Sequence, residues 1–274
     1  MKRIGWFAWP AALAIIGSMV LAMLQLGRVD YPTAMQLQSS LVQLRKQGRI
    51  PDTLLLLEHE PLLTLGRNSG RANVVASDEL LAKRGVRIYE TTRGGDVTYH
   101  GPGQLIAYPI VDLRGTFAAR PGAAPLGARE NSASPESTVP RLGAVDYVRR
   151  LEDAVMRTCG EYGVATQRIC GRTGVWTIAS PERPEKKLCA MGVHISAGIT
   201  SHGLALNVTT DLRDFELIVP CGIADRGVTN LEKEINPPKE VPTLHSAGDS
   251  LARNLGWALG RQVLAVDSLD ALVA

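Results

Sequence analysis

Four stretches of the chain carry side chains able to do chemistry. In Val219-Pro220-Cys221-Gly222-Ile223 a thiol sits between proline and glycine, a spacing that predicts a constrained turn. A thiolate is a strong nucleophile, and an acyl group moved onto it becomes a thioester. A cysteine packed as a small apolar side chain is the competing outcome for this pentapeptide. In Lys186-Lys187-Leu188-Cys189-Ala190-Met191-Gly192 a charge leads directly into an apolar run. A lysine at such a strand entrance can lower a thiol's pKa as a cation, or act as a base if its own is depressed. Two lysines on a solvated turn would do neither.

In Ser201-His202-Gly203-Leu204-Ala205-Leu206-Asn207, His202 can shuttle a proton or orient a substrate, and equally can be a hydrogen-bonded structural histidine. Gly203 lets a ligand approach the backbone closely. The loop Arg93-Gly94-Gly95-Asp96-Val97-Thr98-Tyr99-His100-Gly101-Pro102-Gly103 exposes peptide N–H groups suited to a carbonyl or phosphate, and Arg93 suits a phosphate or carboxylate. It has no P-loop pattern, and no G-x-G-x-x-G precedes a helix. A ligand-free glycine hairpin is the alternative here.

These residues need a scaffold of strands. Short apolar runs predict strands at 24–29, 53–57, 62–65, 86–90, 104–113, 174–178, 188–195, 204–208 and 262–266. Helical spacing predicts helices at 31–47, 144–158 and 243–259, with residues 211–218 a short helix or irregular. Residues 91–103 read as a loop, and Pro109 marks an edge strand or a bulge. Strands outnumber helices and crossover units are few, which predicts an α/β (α+β) fold with a mixed sheet flanked by helices.

The chain has 274 residues, 45% hydrophobic and 21% charged, which suits one domain with a sizeable core. A formal net charge of +3 is too small to demand nucleic acid. The four cysteines, Cys159, Cys170, Cys189 and Cys221, show no C-x-x-C spacing, so neither a metal site nor a disulfide scaffold is expected. Residues 4–24 carry no charge and follow Lys2 and Arg3. Such a run is an anchor, a signal-like segment or translated sequence ahead of the true start. The expected organisation is an apolar extension at 1–25 and one catalytic domain at 26–274. Residues 115–140, rich in Ala, Pro, Gly and Ser, are expected to be a flexible insertion within that domain.

Taken together, LLLLEHEPLLTLGR (54–67), RGGDVTYHGPGQLIAYPIVDL (93–113), GRTGVW (171–176), KLCAMGVHI (187–195), TSHGLALNVTTDL (200–212) and FELIVPCGI (215–223) resemble the lipoyl(octanoyl) transferase family in motif and order. The resemblance implies the fold of the biotin and lipoate ligase catalytic domain. It implies transfer of an octanoyl group from octanoyl-acyl carrier protein to a lysine of lipoyl domains, in 2-oxoacid dehydrogenase complexes and the glycine cleavage H protein. It assigns the acyl-thioester nucleophile to Cys221, and to Lys187 the roles of lowering that cysteine's pKa and acting as general base. Acyl binding falls to Arg93, Gly94, Gly95, Asp96, Val97, Thr98, Tyr99, His100, Ala190, Met191, Gly192, His202, Gly203, Leu204 and Ala205. It also implies no cofactor or metal, no nucleic acid and a cytoplasmic monomer; the apolar residues 4–24 precede the point where the family usually begins and leave membrane contact through them an open alternative. Cys189 stands where the family commonly has a small non-thiol residue, and strand alternation would set it on the same face as Lys187. The alternatives are an ATP-dependent lipoate or biotin ligase, a non-catalytic lipoyl-domain-binding module, and a hydrolase pairing Cys221 with His202.

Overall fold

The computed structural model describes residues 19–67, 69–118, 138–181, 183–219 and 227–273. In chain order its elements are β1 (Val20–Arg28), α1 (Tyr31–Lys46), β2 (Asp52–Glu58), β3 (Leu62–Leu65), α2 (Asp78–Lys83), β4 (Arg87–Glu90), β5 (Thr98–His100), β6 (Gln104–Ile110), β7 (Thr116–Ala118), β8 (Thr138–Pro140), α3 (Ala144–Glu161), β9 (Thr166–Ile169), β10 (Arg172–Thr177), β11 (Lys187–Ser196), β12 (Ile199–Asn207), α4 (Leu231–Glu234), α5 (Leu244–Leu259), β13 (Gln262–Ala265) and α6 (Asp270–Val273). Short 3₁₀ helices lie at Arg71–Asn73 and Leu212–Leu217.

Eight strands form one sheet in the order β13-β1-β2-β6-β12-β11-β10-β9. β1 is parallel to both β13 and β2, and the remaining neighbours are antiparallel, so the sheet is mixed as expected. Its centre explains the unbroken leucines of β2. Leu54 and Leu56 pack with α3 and α5 on one face, while Leu55 and Leu57 pack with α1 on the other. A strand covered on both faces reads as a continuous apolar run, with no alternation. The helix α1 starts at an Asp30 cap that accepts from the Thr33 N–H, carries Pro32 in its first turn, and ends on Arg45 and Lys46.

Several boundaries differ from expectation, each for a physical reason. β1 begins at Val20, ahead of the expected residue 24, because Leu21, Ala22 and Leu24 are buried between β13 and β2. The end of the apolar run is therefore sheet core; residues 1–18 lie outside the described residues. Among the described residues no helix is long and apolar enough to cross a membrane. The expected loop 91–103 contains β5, which joins β3 and β4 in a small second sheet. Val97 and Tyr99 drive this by burying themselves against Leu63 and Phe215, an alternation hidden by the glycines on either side. The expected insertion 115–140 is a paired ladder at both ends, β7 against β8, with residues 119–137 outside the described set. Phe117 anchors it, buried beneath the Arg261 and Arg150 guanidinium groups at 4.4 and 5.9 Å. The short α2 and the polar strand β9 carry too little apolar periodicity to be read from sequence.

Asp52 closes the edge where β2, α1 and α5 meet. Its fully buried carboxylate accepts from Arg45 Nε at 2.8 Å, Arg261 Nε at 3.1 Å and the Asp112 N–H at 2.9 Å. Removing one member of a buried ion cluster leaves the others uncompensated, at about 3–5 kcal/mol. Asp52→Ala should lose stability of about that size in urea unfolding; a loss under about 1 kcal/mol would mean the cluster is solvated.

Candidate functional site

The sheet opens into a cavity of about 440 Å³ along β11 and β12. Lys187, Ala190, Met191 and Gly192 line it from β11, and His202, Gly203, Leu204 and Ala205 from β12. The two strands run side by side, Met191 facing Leu204 and Val193 facing His202. From Lys187 to that last pair is six residues, about 20 Å of strand. Arg93, Gly95, Asp96, Thr98 and His100 cover the cavity from the small sheet and its loop.

Lys187 is held by its backbone and by an aromatic face. Its N–H donates to the Gly227 carbonyl at 3.0 Å, and its own carbonyl accepts from the Thr229 N–H at 3.0 Å. The side chain is 8% exposed, with Nζ lying 4.8 Å from the centroid of the Trp176 ring. On the other side, Asn73 Nδ2 donates to both Asp96 oxygens at 2.9 and 2.7 Å, while the Asn73 carbonyl accepts from the Val219 N–H at 2.8 Å. The chain thus leaves Val219 beside the partner of Asp96 and resumes at Gly227 beside Lys187. Residues 220–226, with Cys221 and its Pro-Cys-Gly turn, lie outside the described residues.

The cavity floor is one connected set of hydrogen bonds. Arg93 Nε and Nη2 donate to Thr64 Oγ1 at 3.1 and 2.8 Å, and Nη2 also donates to the Thr64 carbonyl at 2.7 Å. The Thr64 hydroxyl is left to donate to His100 Nε2 at 3.3 Å. His100 Nδ1 donates to Gln104 Oε1 at 2.7 Å, and the Gln104 amide donates to the Tyr99 carbonyl and to Asn207 Oδ1. Asn207 in turn donates to the Thr229 carbonyl at 2.9 Å, which brings the chain of bonds to the backbone beside Lys187. Burial, reinforced by neighbouring His59 and the Arg93 charge, pushes His100 down to about 3. Burial and then Arg93 push His202 to about 4, so both imidazoles are neutral near pH 7.

The shape of the far end follows from Pro109. β6 is not an edge strand: it lies between β2 and β12, and the register that pairs Leu204 with Ala107 sets Pro109 against His202. Proline has no N–H to give to that ladder. Instead the Thr200 hydroxyl donates to the Pro109 carbonyl at 2.7 Å, and the His202 N–H turns to Gln38 Oε1 on α1 at 2.7 Å. His202 reaches this orientation with φ of 55°, in the left-handed region. Beside it, a Cβ on Gly203 would come within 2.1 Å of the Ala107 carbonyl. The close approach expected of a ligand at Gly203 is thus made by the neighbouring strand.

Of the residues singled out from sequence, Gly94, Val97 and Tyr99 do not line the cavity. Gly94 N–H bonds the Val193 carbonyl, and Val97 and Tyr99 sit in the core of the small sheet. Cys189 is also turned away: it is fully buried in the main core, and burial pushes its thiol well above the usual range. The pairing of β10 with β11 is irregular here: consecutive Val175 and Trp176 face Cys189 and Lys187, so Leu188 is an extra residue on β11 between Lys187 and Cys189, where simple alternation does not hold. Tyr31, Tyr108, Gly171, Arg172 and Thr173 line the cavity without having been singled out. Tyr108 had a legible signal, a hydroxylated aromatic in an aliphatic strand; its hydroxyl donates to His59 Nε2 at 2.9 Å, since His59 Nδ1 is committed to the Val29 carbonyl. Among the described residues no three metal-ligating side chains come together.

Comparison with known proteins gives a consistent result. The family model for the lipoyl protein ligase A/B catalytic domain matches residues 30–122 and 133–252. An octanoyltransferase of Acidobacterium capsulatum is 57% identical over 250 residues, 91% of this chain and 94% of the relative. One from Koribacter versatilis is 48% identical over 93% of this chain and 90% of its own. Among solved structures, the archaeal bi-partite lipoate protein ligase of Thermoplasma acidophilum aligns with a TM-score of 0.64 at 15% identity, over 93% of this chain and 91% of that one. A lipoate-protein ligase A bound with ATP aligns with a TM-score of 0.62 at 14% identity, over 93% of each chain. At those identities the likeness is one of fold.

The neutral histidines carry a pH signature. An unfolded histidine takes up its proton near pH 6.5, whereas folded His100 does so only at about 3. Between these values the unfolded state binds more protons, so stability is intact above about pH 6.5 and falls as pH drops. His100→Gln should flatten the dependence of the urea midpoint on pH between about pH 6.5 and about pH 4. Equal slopes in variant and wild type would show that His100 titrates normally.

Proposed function

Because the chain belongs to the lipoyl protein ligase A/B catalytic-domain family, among its octanoyltransferases, we propose that it moves an octanoyl group from octanoyl-acyl carrier protein to a lysine of lipoyl domains through a thioester on Cys221. The observation that supports this reading most is the place of Lys187. It is a buried side chain that lines the cavity, its peptide bonded to the backbone that follows the Cys221 segment. The donor arrives already activated as a thioester, so no nucleotide or metal is required.

In the first step the Cys221 thiolate attacks the octanoyl carbonyl. A new C–S bond forms, the donor's C–S bond breaks, and the carrier leaves as a thiolate that takes up a proton. The Lys187 ammonium favours the Cys221 thiolate by charge. In the second step the acceptor lysine, as a free amine, attacks the acyl-enzyme. Its nitrogen loses a proton as the amide forms, and Cys221 leaves as a thiolate. Lys187, having given its ammonium proton to the departing carrier thiolate in the first step, takes this proton up as a free amine and is an ammonium again beside the Cys221 thiolate. The strip from Ala190 to Gly192 and from His202 to Ala205 carries the acyl chain, while Arg93 and His100 hold the opposite wall. Donor and acceptors of this kind place the reaction in the cytoplasm, with the H protein and the 2-oxoacid dehydrogenase lipoyl domains as acceptors.

Lys187→Ala should lower the transfer rate by roughly 10²–10⁴-fold with folding intact, measured as octanoylation of a lipoyl domain. Cys221→Ser should abolish transfer, and Cys189→Ser should retain it. An unchanged rate in Lys187→Ala would refute its role. Labelling that needs ATP and free octanoate would instead identify a ligase.

A further inference from the structure

Asp96 is the one carboxylate among the described residues that line the cavity, beside the cations Lys187, Arg93 and Arg172 and the neutral imidazoles of His100 and His202. The family resemblance puts it among the acyl-binding residues, yet a carboxylate offers an alkyl chain nothing. Its place is well fixed. The Val97 N–H donates to Asp96 Oδ1 at 2.7 Å, and Asn73 Nδ2 spans both oxygens. Among the described residues no lysine, arginine or histidine pairs with it.

The loop that carries Asp96 also aims it. The Gly94 N–H donates to the Val193 carbonyl at 2.9 Å, and a Cβ on Gly95 would lie 3.9 Å from the Met191 carbonyl. The loop therefore follows β11 in the direction of Lys187 as it reaches Asp96. Asn73, which holds the carboxylate, also accepts the Val219 N–H on its own carbonyl, where the chain departs toward Cys221.

The two steps of the transfer differ in charge. In the first, the thioester is neutral at its reacting end and the attacking Cys221 is an anion, so a second anion in the cavity only opposes it. In the second, the acceptor is a lysine side chain, whose ordinary pKa of about 10.4 makes it an ammonium near pH 7. It sheds one proton to water to become the attacking amine. As its nitrogen bonds to the thioester carbonyl carbon it turns positive again, until the Lys187 amine takes the second proton. A fixed carboxylate favours that nitrogen on arrival and during the addition.

We propose that Asp96 is the acceptor-lysine site: its carboxylate accepts hydrogen bonds from the incoming nitrogen and commits the acyl-enzyme to an amine. This rests on the octanoyl-transfer reading and adds how the acceptor is recognised.

The test charges the enzyme with octanoyl-acyl carrier protein, removes the donor, and follows loss of the octanoyl group by intact-mass spectrometry. Two acceptors are compared: a lipoyl domain, and N-acetylcysteamine, whose thiolate carries no positive atom at any stage. Asp96→Asn should lower the ratio of the two second-order discharge rates, lipoyl domain over thiol, by roughly 10–100-fold, the worth of a hydrogen bond to a charged group. Asp96→Glu should recover part of that ratio. Lost packing alone would slow both discharges together and leave the ratio unchanged. Asp96→Gln is the second variant should Asp96→Asn fail to fold. An unchanged ratio in a folded Asn or Gln variant, as judged by circular dichroism, overturns the proposal, while octanoyl-enzyme in wild type keeps the reading beneath it. If wild type forms no octanoyl-enzyme, that reading fails and the proposal falls with it.

Discussion

A run of buried hydrogen bonds joins the Arg93 guanidinium to the peptide of Lys187, passing through Thr64, His100, Gln104, Asn207 and Thr229. Most of these groups are withdrawn from water, so each unmade bond would carry a desolvation cost with no compensation. The consequence is geometric. β3, β5, β6 and β12 and the backbone after Gly227 cannot shift independently, because each supplies one donor or acceptor to the next. The elements on either side of the cavity are tied through its floor. Neutral imidazole is part of the same constraint, since His100 must donate from one ring nitrogen and accept at the other.

The second determinant is a defect placed where it is useful. A proline in a central strand would ordinarily cost a ladder bond. Here Thr200 and Gln38 take up the freed carbonyl and N–H, and His202 is turned toward α1. The far end of the cavity and the bare backbone at Gly203 both follow from that substitution of partners.

Much of this was legible in the residues. The apolar run of β2, the three long helices and the mixed sheet followed from periodicity, because burial on one or two faces writes itself directly into residue type. Lys187, the Arg93–His100 loop and His202 stood out as charged or glycine-rich entries to strands with bland readings still open, and their place in one site, with Leu204 and Ala205, came from the family resemblance of the motifs taken together. What was not legible depends on partners distant in sequence. β5 is polar and glycine-bounded, and only the burial of Val97 and Tyr99 against Leu63 and Phe215 makes it a strand. The face taken by Cys189 follows an extra residue in β11 at Leu188, which shows only in the pairing with β10 and not in the residue types of β11. Tyr31 read as the start of a helix, and its place at the cavity appears only when α1 is docked on the sheet.

The account turns on covalent attachment at one thiol. Its most direct test is site-mapped mass spectrometry of the wild-type protein after incubation with octanoyl-acyl carrier protein and no acceptor. The expected result is a single octanoyl group on the peptide containing Cys221, removed by hydroxylamine as a thioester is, and discharged when a lipoyl domain is added. An adduct on Cys189, a hydroxylamine-resistant amide on Lys187, or amide product formed with no adduct at any cysteine would contradict it.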